Sequence, residues 1–316
     1  MNFQKSILVL LGPWLLALSG CASSGQQVTV PIATAAAVNQ DPFKQSAPDA
    51  KNTALVFASN QYNQVLGYSQ KTGALVETLT GFNEVDGLAT DQSGSLYVPS
   101  QRQHEVFVYP YGSTTPSLTL NDKRKNPLKV AVSRKGEVCV PSAVDVGSGV
   151  FSISFFKKGA PTPFRTMRAP FLAITRDCAY DAAGNTYVTG FNNQLVGEVG
   201  YIAGGGEGAR IVNLGITSVA QPSGLQVATN GDVLVGDQEA ATIHEFQPDS
   251  NNEVGRVLLD RNIVLFALTK DNKHVWATDN SDAFVSEFAF PGGGTPVKNI
   301  SASSPIGIAV TPWAQP

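Results

Sequence analysis

Few side chains in this sequence could do chemistry, and their spacing limits what each can do. Cys21 closes a run of small residues, Leu18-Ser19-Gly20-Cys21, directly after an apolar stretch. A thiol in that setting can be alkylated to a thioether, and small side chains before it admit a peptidase. Cys139 and Cys178 are the two remaining thiols. In an oxidising compartment such a pair can form a disulfide, while reduced and buried cysteines pack as small hydrophobes. Asp86 stands in Val85-Asp86-Gly87-Leu88, at the start of an apolar segment. A hard cation wants several converging oxygens, so one carboxylate does not by itself make a metal site. His104 falls in a second-to-third-strand loop, His244 within a third strand and His274 in a turn between first and second strands, so the three do not converge. No serine nucleophile elbow and no phosphate-cradling loop occurs.

The elements that must position these residues are strands. Residues 86–109 read as an apolar strand, a tight polar turn with Gly94, a second strand, a polar loop and a third strand ending on an aromatic. Alternation such as Glu105-Val106-Phe107-Val108-Tyr109 has strand periodicity. The pattern recurs over residues 86–120, 127–167, 171–214, 222–259 and 264–300, a period of about 40 residues. Each first turn carries Gly, Asn or Asp, as positive φ in a tight hairpin requires. Residues 53–80 hold three strands but lack a first one, and residues 305–311 are a first strand with nothing after it. Joining the two ends completes a sixth unit. The expectation is an all-β, six-bladed propeller over residues 51–316, closed by pairing N- and C-terminal segments in one blade.

Ahead of the ring, Lys5 and the apolar run Ser6–Leu18 lead into Cys21, and the whole resembles a bacterial lipoprotein signal peptide over residues 1–20. That resemblance implies a lipid anchor on Cys21. Ala22, where an aspartate would retain the protein at the inner membrane, implies the outer membrane of the cell envelope. Residues 21–50, rich in Ala, Gln, Ser and Thr with Pro31, Pro42 and Pro48, read as a flexible tether.

Within the ring, Pro222-Ser223-Gly224-Leu225, Asn230-Gly231-Asp232-Val233-Leu234-Val235 and Asp237 resemble the NHL repeat. The fold is also similar to that of gluconolactonase-type propellers, which hold calcium or zinc on the ring axis. That likeness implies a metal role for Asp86, but the matching slots elsewhere hold Ser223 and Ile306, and Asn126-Pro127 matches only in part. Antibiotic-inactivating lyases of this fold use a histidine pair with a glutamate, which the scattered histidines here do not supply.

The remaining candidate is a polar rim on one face, including Asn60, Asp86, Gln101, Arg102, Asn192, Asp237 and Asp279, suited to a polar ligand, a glycan or an envelope protein. Residues 121–180 hold eleven Lys and Arg, Lys123 among them, against four acids; residues 232–287 hold eleven acids against four bases. The ring is therefore expected to be electrically dipolar. An acidic pI of about 5.6 and the envelope location disfavour nucleic acid. The sequence thus reads as a non-catalytic, lipid-anchored binding or scaffold module without a cofactor. The alternatives are a metal-dependent hydrolase or lactonase and a structural subunit of an envelope complex.

Overall fold

The structure, a computed structural model, describes residues 53–122, 124–144 and 150–312. The leader at residues 1–20, Cys21, the tether and Lys123 lie outside the described residues. The described chain is all-β apart from two single 3-10 turns, Gln101–Gln103 and Gly205–Glu207.

Strands β1 (Leu55–Asn60), β2 (Val65–Ser69) and β3 (Leu75–Leu79) form blade 6 with the last strand of the ring, introduced below. Blade 1 is β4 (Ala89–Thr90), β5 (Leu96–Ser100), β6 (Glu105–Tyr109) and β7 (Leu118–Asn121). Blade 2 is β8 (Lys125–Pro127), β9 (Ala131–Val132), β10 (Val138–Val144), β11 (Val150–Phe156) and β12 (Arg165–Met167). Blade 3 is β13 (Ile174–Tyr180), β14 (Thr186–Phe191), β15 (Gly197–Ile202) and β16 (Val212–Asn213). Blade 4 is β17 (Pro222–Val227), β18 (Val233–Asp237), β19 (Thr242–Phe246) and β20 (Glu253–Leu258). Blade 5 is β21 (Phe266–Leu268), β22 (His274–Asp279), β23 (Phe284–Ala289) and β24 (Gly293–Ser301).

The final strand, β25 (Pro305–Val310), pairs antiparallel with β1 in the register Val56↔Val310, Phe57↔Ala309 and Ala58↔Ile308. It is the innermost strand of blade 6, so the ring closes between its two ends as the sequence implies. Thr311 locks the seam: its N–H donates to the Leu55 carbonyl, and its Oγ1 accepts from the Leu55 N–H, both at 2.9 Å.

Six apolar clusters among the described residues hold the blades together, one at each junction. Leu55, Phe57 and Leu79 of blade 6 meet Leu88, Leu96 and Val98 of blade 1, for example, and Trp276 and Val285 of blade 5 meet Val56 and Ile308 of blade 6. The strands are apolar on both faces because each sheet is covered on both sides. The first turns follow one design. Gly94, Gly136, Gly184 and Gly231 take φ between +78° and +95°, and Asn272 takes φ +54° in the fifth blade.

Blade 2 departs from expectation. Its inner strand does not run unbroken from Pro127 but splits into β8 and β9, each paired with β10, and residues 128–130 leave the regular ladder. Other blades interrupt their inner strands at the same level, blade 4 by a register shift between Pro222 and Leu225 and blade 3 by one between Thr175 and Asp177, and in blade 2 the interruption holds Lys129.

The blade 6 junction also buries an acid. Glu77 is 3% exposed, and its Oε2 has no hydrogen-bond partner among the described residues. Its side chain lies in the space left by Gly67, where a Cβ would sit 2.7 Å from Glu77 Cγ. Desolvation raises its pKa to about 7. The folded chain therefore keeps a proton that the unfolded chain releases above about pH 4.5. Stability from this residue is greatest at or below that pH, falls as pH rises and levels off past pH 7, a loss of roughly 3 kcal/mol. Glu77→Gln is expected to flatten that decline and to exceed wild type at pH 8. Urea unfolding of both chains at pH 5, 6, 7 and 8 checks this; parallel wild-type and variant profiles would contradict it.

Candidate functional site

Residues at one level of the six innermost strands follow from their pairing with the second strands. Ala89, Ala131, Ala179, Gln226, Ala267 and Ala309 face Tyr97, Cys139, Tyr187, Leu234, Trp276 and Phe57 in turn. Two residues earlier stand Gly87, Lys129, Asp177, Gly224, Leu265 and Gly307. Three of the six positions are glycine, and two carry opposite charges.

Lys129 is 5% exposed and crosses the axis. Its stem lies over Gly87 of blade 1, where a Cβ would sit 2.5 Å from Lys129 Cγ, so only glycine leaves it room. Its Nζ donates to the backbone carbonyl of Ser223 in blade 4 and lies 3.4 Å from Asp177 Oδ2 in blade 3. One side chain thus ties blades 2, 3 and 4 together. Asp177 is held in turn by the N–H groups of Cys178 at 2.8 Å and Leu225 at 2.9 Å.

Asp86 and Arg176 complete a quartet of two cations and two carboxylates. Arg176 is the extra residue where the β13 register shifts between Thr175 and Asp177, the kind of bulge that re-aims a side chain. Its guanidinium sits 6.0 Å from the Phe191 ring centroid, and its buried Nε has no hydrogen-bond partner among the described residues. The Asp86 side chain is half-buried, and its main-chain carbonyl accepts from Ser59 Oγ at 2.7 Å. Desolvation pushes the Asp86 and Asp177 carboxyls up and the Lys129 ammonium down. Attraction within the group opposes each shift: Lys129 acts on both carboxylates, and Arg176 acts on Asp86.

Lys129 and Asp177 also form the end wall of an axial cavity of about 230 Å³. From that level its lining descends past Ala89, Ala131, Ala179 and Gln226 to Thr90, Leu268, Lys270 and Pro312. The deep residues are buried, while Lys270 is exposed and Thr90, Leu268 and Pro312 are half-buried, so solvent enters from that lower end. The lower face carries the turns between first and second strands; the upper face carries those between second and third.

The rim residues turn out to organise these upper turns. Asn60 Oδ1 accepts the N–H groups of Tyr62 and Gln64, both at 3.0 Å. Asn192 Oδ1 does the same for Gln194 at 2.9 Å and Val196 at 3.1 Å. Asp237 is 2% exposed and accepts from Ala220, Gln221, Glu239 and Ala240. Asp279 Oδ1 accepts from Ser281 Oγ and the Asp282 N–H. Gln101 and Arg102 lie in the blade 1 turn, where Arg102 pairs with Glu84 on the surface. Of the seven candidates, only Asp86 belongs to the axial quartet. The residues that project are the turn tips, Tyr62 at 65% exposure and Leu195 at 67%. Leu195 takes φ +60°, in the slot that Asn63 fills in blade 6.

The axial quartet is hard to see in the sequence because Lys129 sits inside an apolar run and Asp177 beside Arg176 reads as an ordinary surface pair. Their occupation of a slot that is glycine in Asp86-Gly87, Ser223-Gly224 and Ile306-Gly307 is the signal that marks them. The structure also joins Cys139 to Cys178 by a disulfide, with Cα atoms 6.6 Å apart, so blades 2 and 3 are covalently linked one residue from Asp177.

A calcium or zinc ion on the axis does not fit these residues. Asp86 is flanked by Lys129 and Arg176, whose charges repel a divalent ion. No group of three or more His, Cys, Asp or Glu among the described residues is arranged to hold a metal. His244, the one buried histidine, pairs with Glu253 Oε1 at 2.8 Å and lies 4.0 Å from Asp237 Oδ2, away from the axis.

Comparisons with known proteins agree on the fold. No family model and no curated protein matches the sequence. One chain of a nidogen/laminin complex superposes with a TM-score of 0.65 at 13% identity, covering 81% of this chain and 97% of that one. A protein of unknown function from Bacteroides caccae gives 0.61 at 14% identity, covering 82% and 99%. A chain of Kuenenia stuttgartiensis hydrazine synthase gives 0.56 at 14%, covering 81% and 99%. At such identities the likeness establishes a six-bladed β-propeller, a fold that hosts both enzymes and binding modules.

Removing one partner of a buried ion pair leaves the other uncompensated, at a cost of about 3–5 kcal/mol. Lys129→Met is expected to destabilise the ring by that order. Asp177→Asn added to Lys129→Met should cost clearly less than the sum of the two single changes. Denaturant unfolding of the four chains measures the coupling, and strict additivity would mean the two residues do not act as a pair.

Proposed function

We propose that this propeller is a lipid-anchored binding or scaffold module of a bacterial envelope, held at the outer membrane through Cys21. In this reading it is non-catalytic and meets a polar ligand, a glycan or an envelope protein with its upper face. The observation that carries the reading is where the chain enters the ring. β1 begins at Leu55 on the lower face, and β25 ends beside it, with Thr311 bonded to Leu55. Both ends of the described ring therefore lie at the lower edge, and the upper turns are clear of either end.

The upper turns suit recognition because they are short and pinned by their own Asn or Asp side chains, so a partner has little to order on binding. Their tips mix apolar and polar groups, Tyr62 and Leu195 with Arg102 and Asn193. The nidogen/laminin assembly contains a similar fold within a protein–protein complex, which favours a protein partner.

Cys21→Ser is expected to move the protein from the membrane fraction to the soluble fraction; continued membrane association would remove the anchor from this reading. For the binding face, a photo-crosslinking residue placed at Tyr62, Arg102 or Leu195 in intact cells should give discrete adducts. The same probe at Lys270, exposed on the lower face, should not. Adducts from Lys270 alone would assign binding to the lower face instead.

A further inference from the structure

We propose that the ring carries a built-in cation: the Lys129 ammonium occupies an axial seat of carboxylate and carbonyl oxygens that would otherwise take a divalent metal ion.

Several independent observations meet at this seat. Lys129 stands where three other blades place glycine, so its side chain is an addition to the shared pattern of the repeat. Gly87 leaves the space through which the stem passes. At the far end Nζ meets the oxygen types that a hard cation selects, a backbone carbonyl from Ser223 and a carboxylate from Asp177. Asp86 contributes a second negative charge that acts on the same ammonium. The oxygens come from different blades, as they must at a point on the ring axis.

Charge explains why the seat is closed to a metal. With Lys129 and Arg176 against Asp86 and Asp177, the quartet is formally neutral. An ion from solution would have to displace a cation tethered to the same chain, whose effective concentration at the seat is high. It would also have to enter beside Arg176. Shortening Lys129 favours entry, because the seat keeps the Asp177 carboxylate and the Ser223 carbonyl, still feels the negative charge of Asp86, loses one positive charge and gains a void. A buried carboxylate such as Asp177 without its counter-ion draws in a cation or gives up its charge.

The test is a gain of binding in the full chain, dialysed against calcium, with bound ion counted by mass spectrometry. Wild type is expected to retain no ion that depends on Asp86. Lys129→Ala is expected to hold one calcium per chain, at least about tenfold more tightly than wild type. Adding Asp177→Asn should abolish the gain, which separates the axis from surface acids. If Lys129→Ala does not fold in chelator, refolding is repeated with calcium, and recovery of the native circular dichroism spectrum counts as binding. A stoichiometric ion in wild type that Asp86→Asn removes overturns the proposal. So does a folded Lys129→Ala chain that gains no ion, or an unfolded one that calcium does not rescue.

Discussion

The antiparallel ladder between the first and last strands is the constraint on which the rest of the ring depends. A propeller blade left without its inner strand exposes an edge and opens two junctions at once. Here Ala309 belongs to the cluster between blades 6 and 1, while Ile308 and Val310 belong to that between blades 5 and 6. Closing the ring means bringing together residues 256 positions apart, and the Leu55–Thr311 bonds fix that contact at its last residue. Inside the seam, smaller links run from blade to blade. The Gly87 N–H donates to the Leu128 carbonyl at 3.1 Å, and Thr278 Oγ1 donates to the Ile306 carbonyl at 2.7 Å. Lys129 is the longest of these links, and the only one of the three to carry charge.

Much of this frame could be read from the chain. Strand alternation, the turn glycines and the missing first strand of residues 53–80 are local signals, and they led to the observed closure. The axis was less legible because its chemistry is made by residues from different blades. Lys129 lies in Pro127-Leu128-Lys129-Val130-Ala131, where a lone lysine among apolar residues reads as the solvent side of a strand. Only ring closure brings Gly87, Asp177 and Ser223 around it. The rim residues have a second role that loop polarity alone does not reveal. Asn60, Asn192, Asp237 and Asp279 bond the backbone of their own turns, as Asn and Asp side chains commonly do two residues onward. Those bonds occupy most of their polar atoms.

Charge counting needs the same correction. The basic excess of residues 121–180 is smaller at the surface than in the sequence, because several of its cations point inward. Lys129 is in the axis, and Arg176 is half-buried beside it. Lys125 reaches the buried Asp122 at 2.9 Å and also donates to Ser154 Oγ at 2.7 Å. Asp122 receives further hydrogen bonds from Ser142 and Ser154, so this ion pair serves the junction between blades 1 and 2. The acidic side loses charge from its surface in the same way, with Asp237 and Asp279 buried beneath the upper turns while Glu239, Asp260 and Asp282 are exposed.

The upper turns divide labour in a way that bears on how such a surface diversifies. The Asn or Asp that opens a turn pins its backbone through side-chain bonds, while the crest side chains of Tyr62 and Leu195 point to solvent. Tyr62 and Leu195 project from matching turns on opposite arcs of the circle, opened by Asn60 and Asn192, one residue apart in the shared pattern. Single-codon changes at the crests can therefore rewrite what the surface displays and leave the framework below undisturbed. Inheritance of the scaffold and inheritance of its specificity are, in this molecule, stored in different letters of the same short loop.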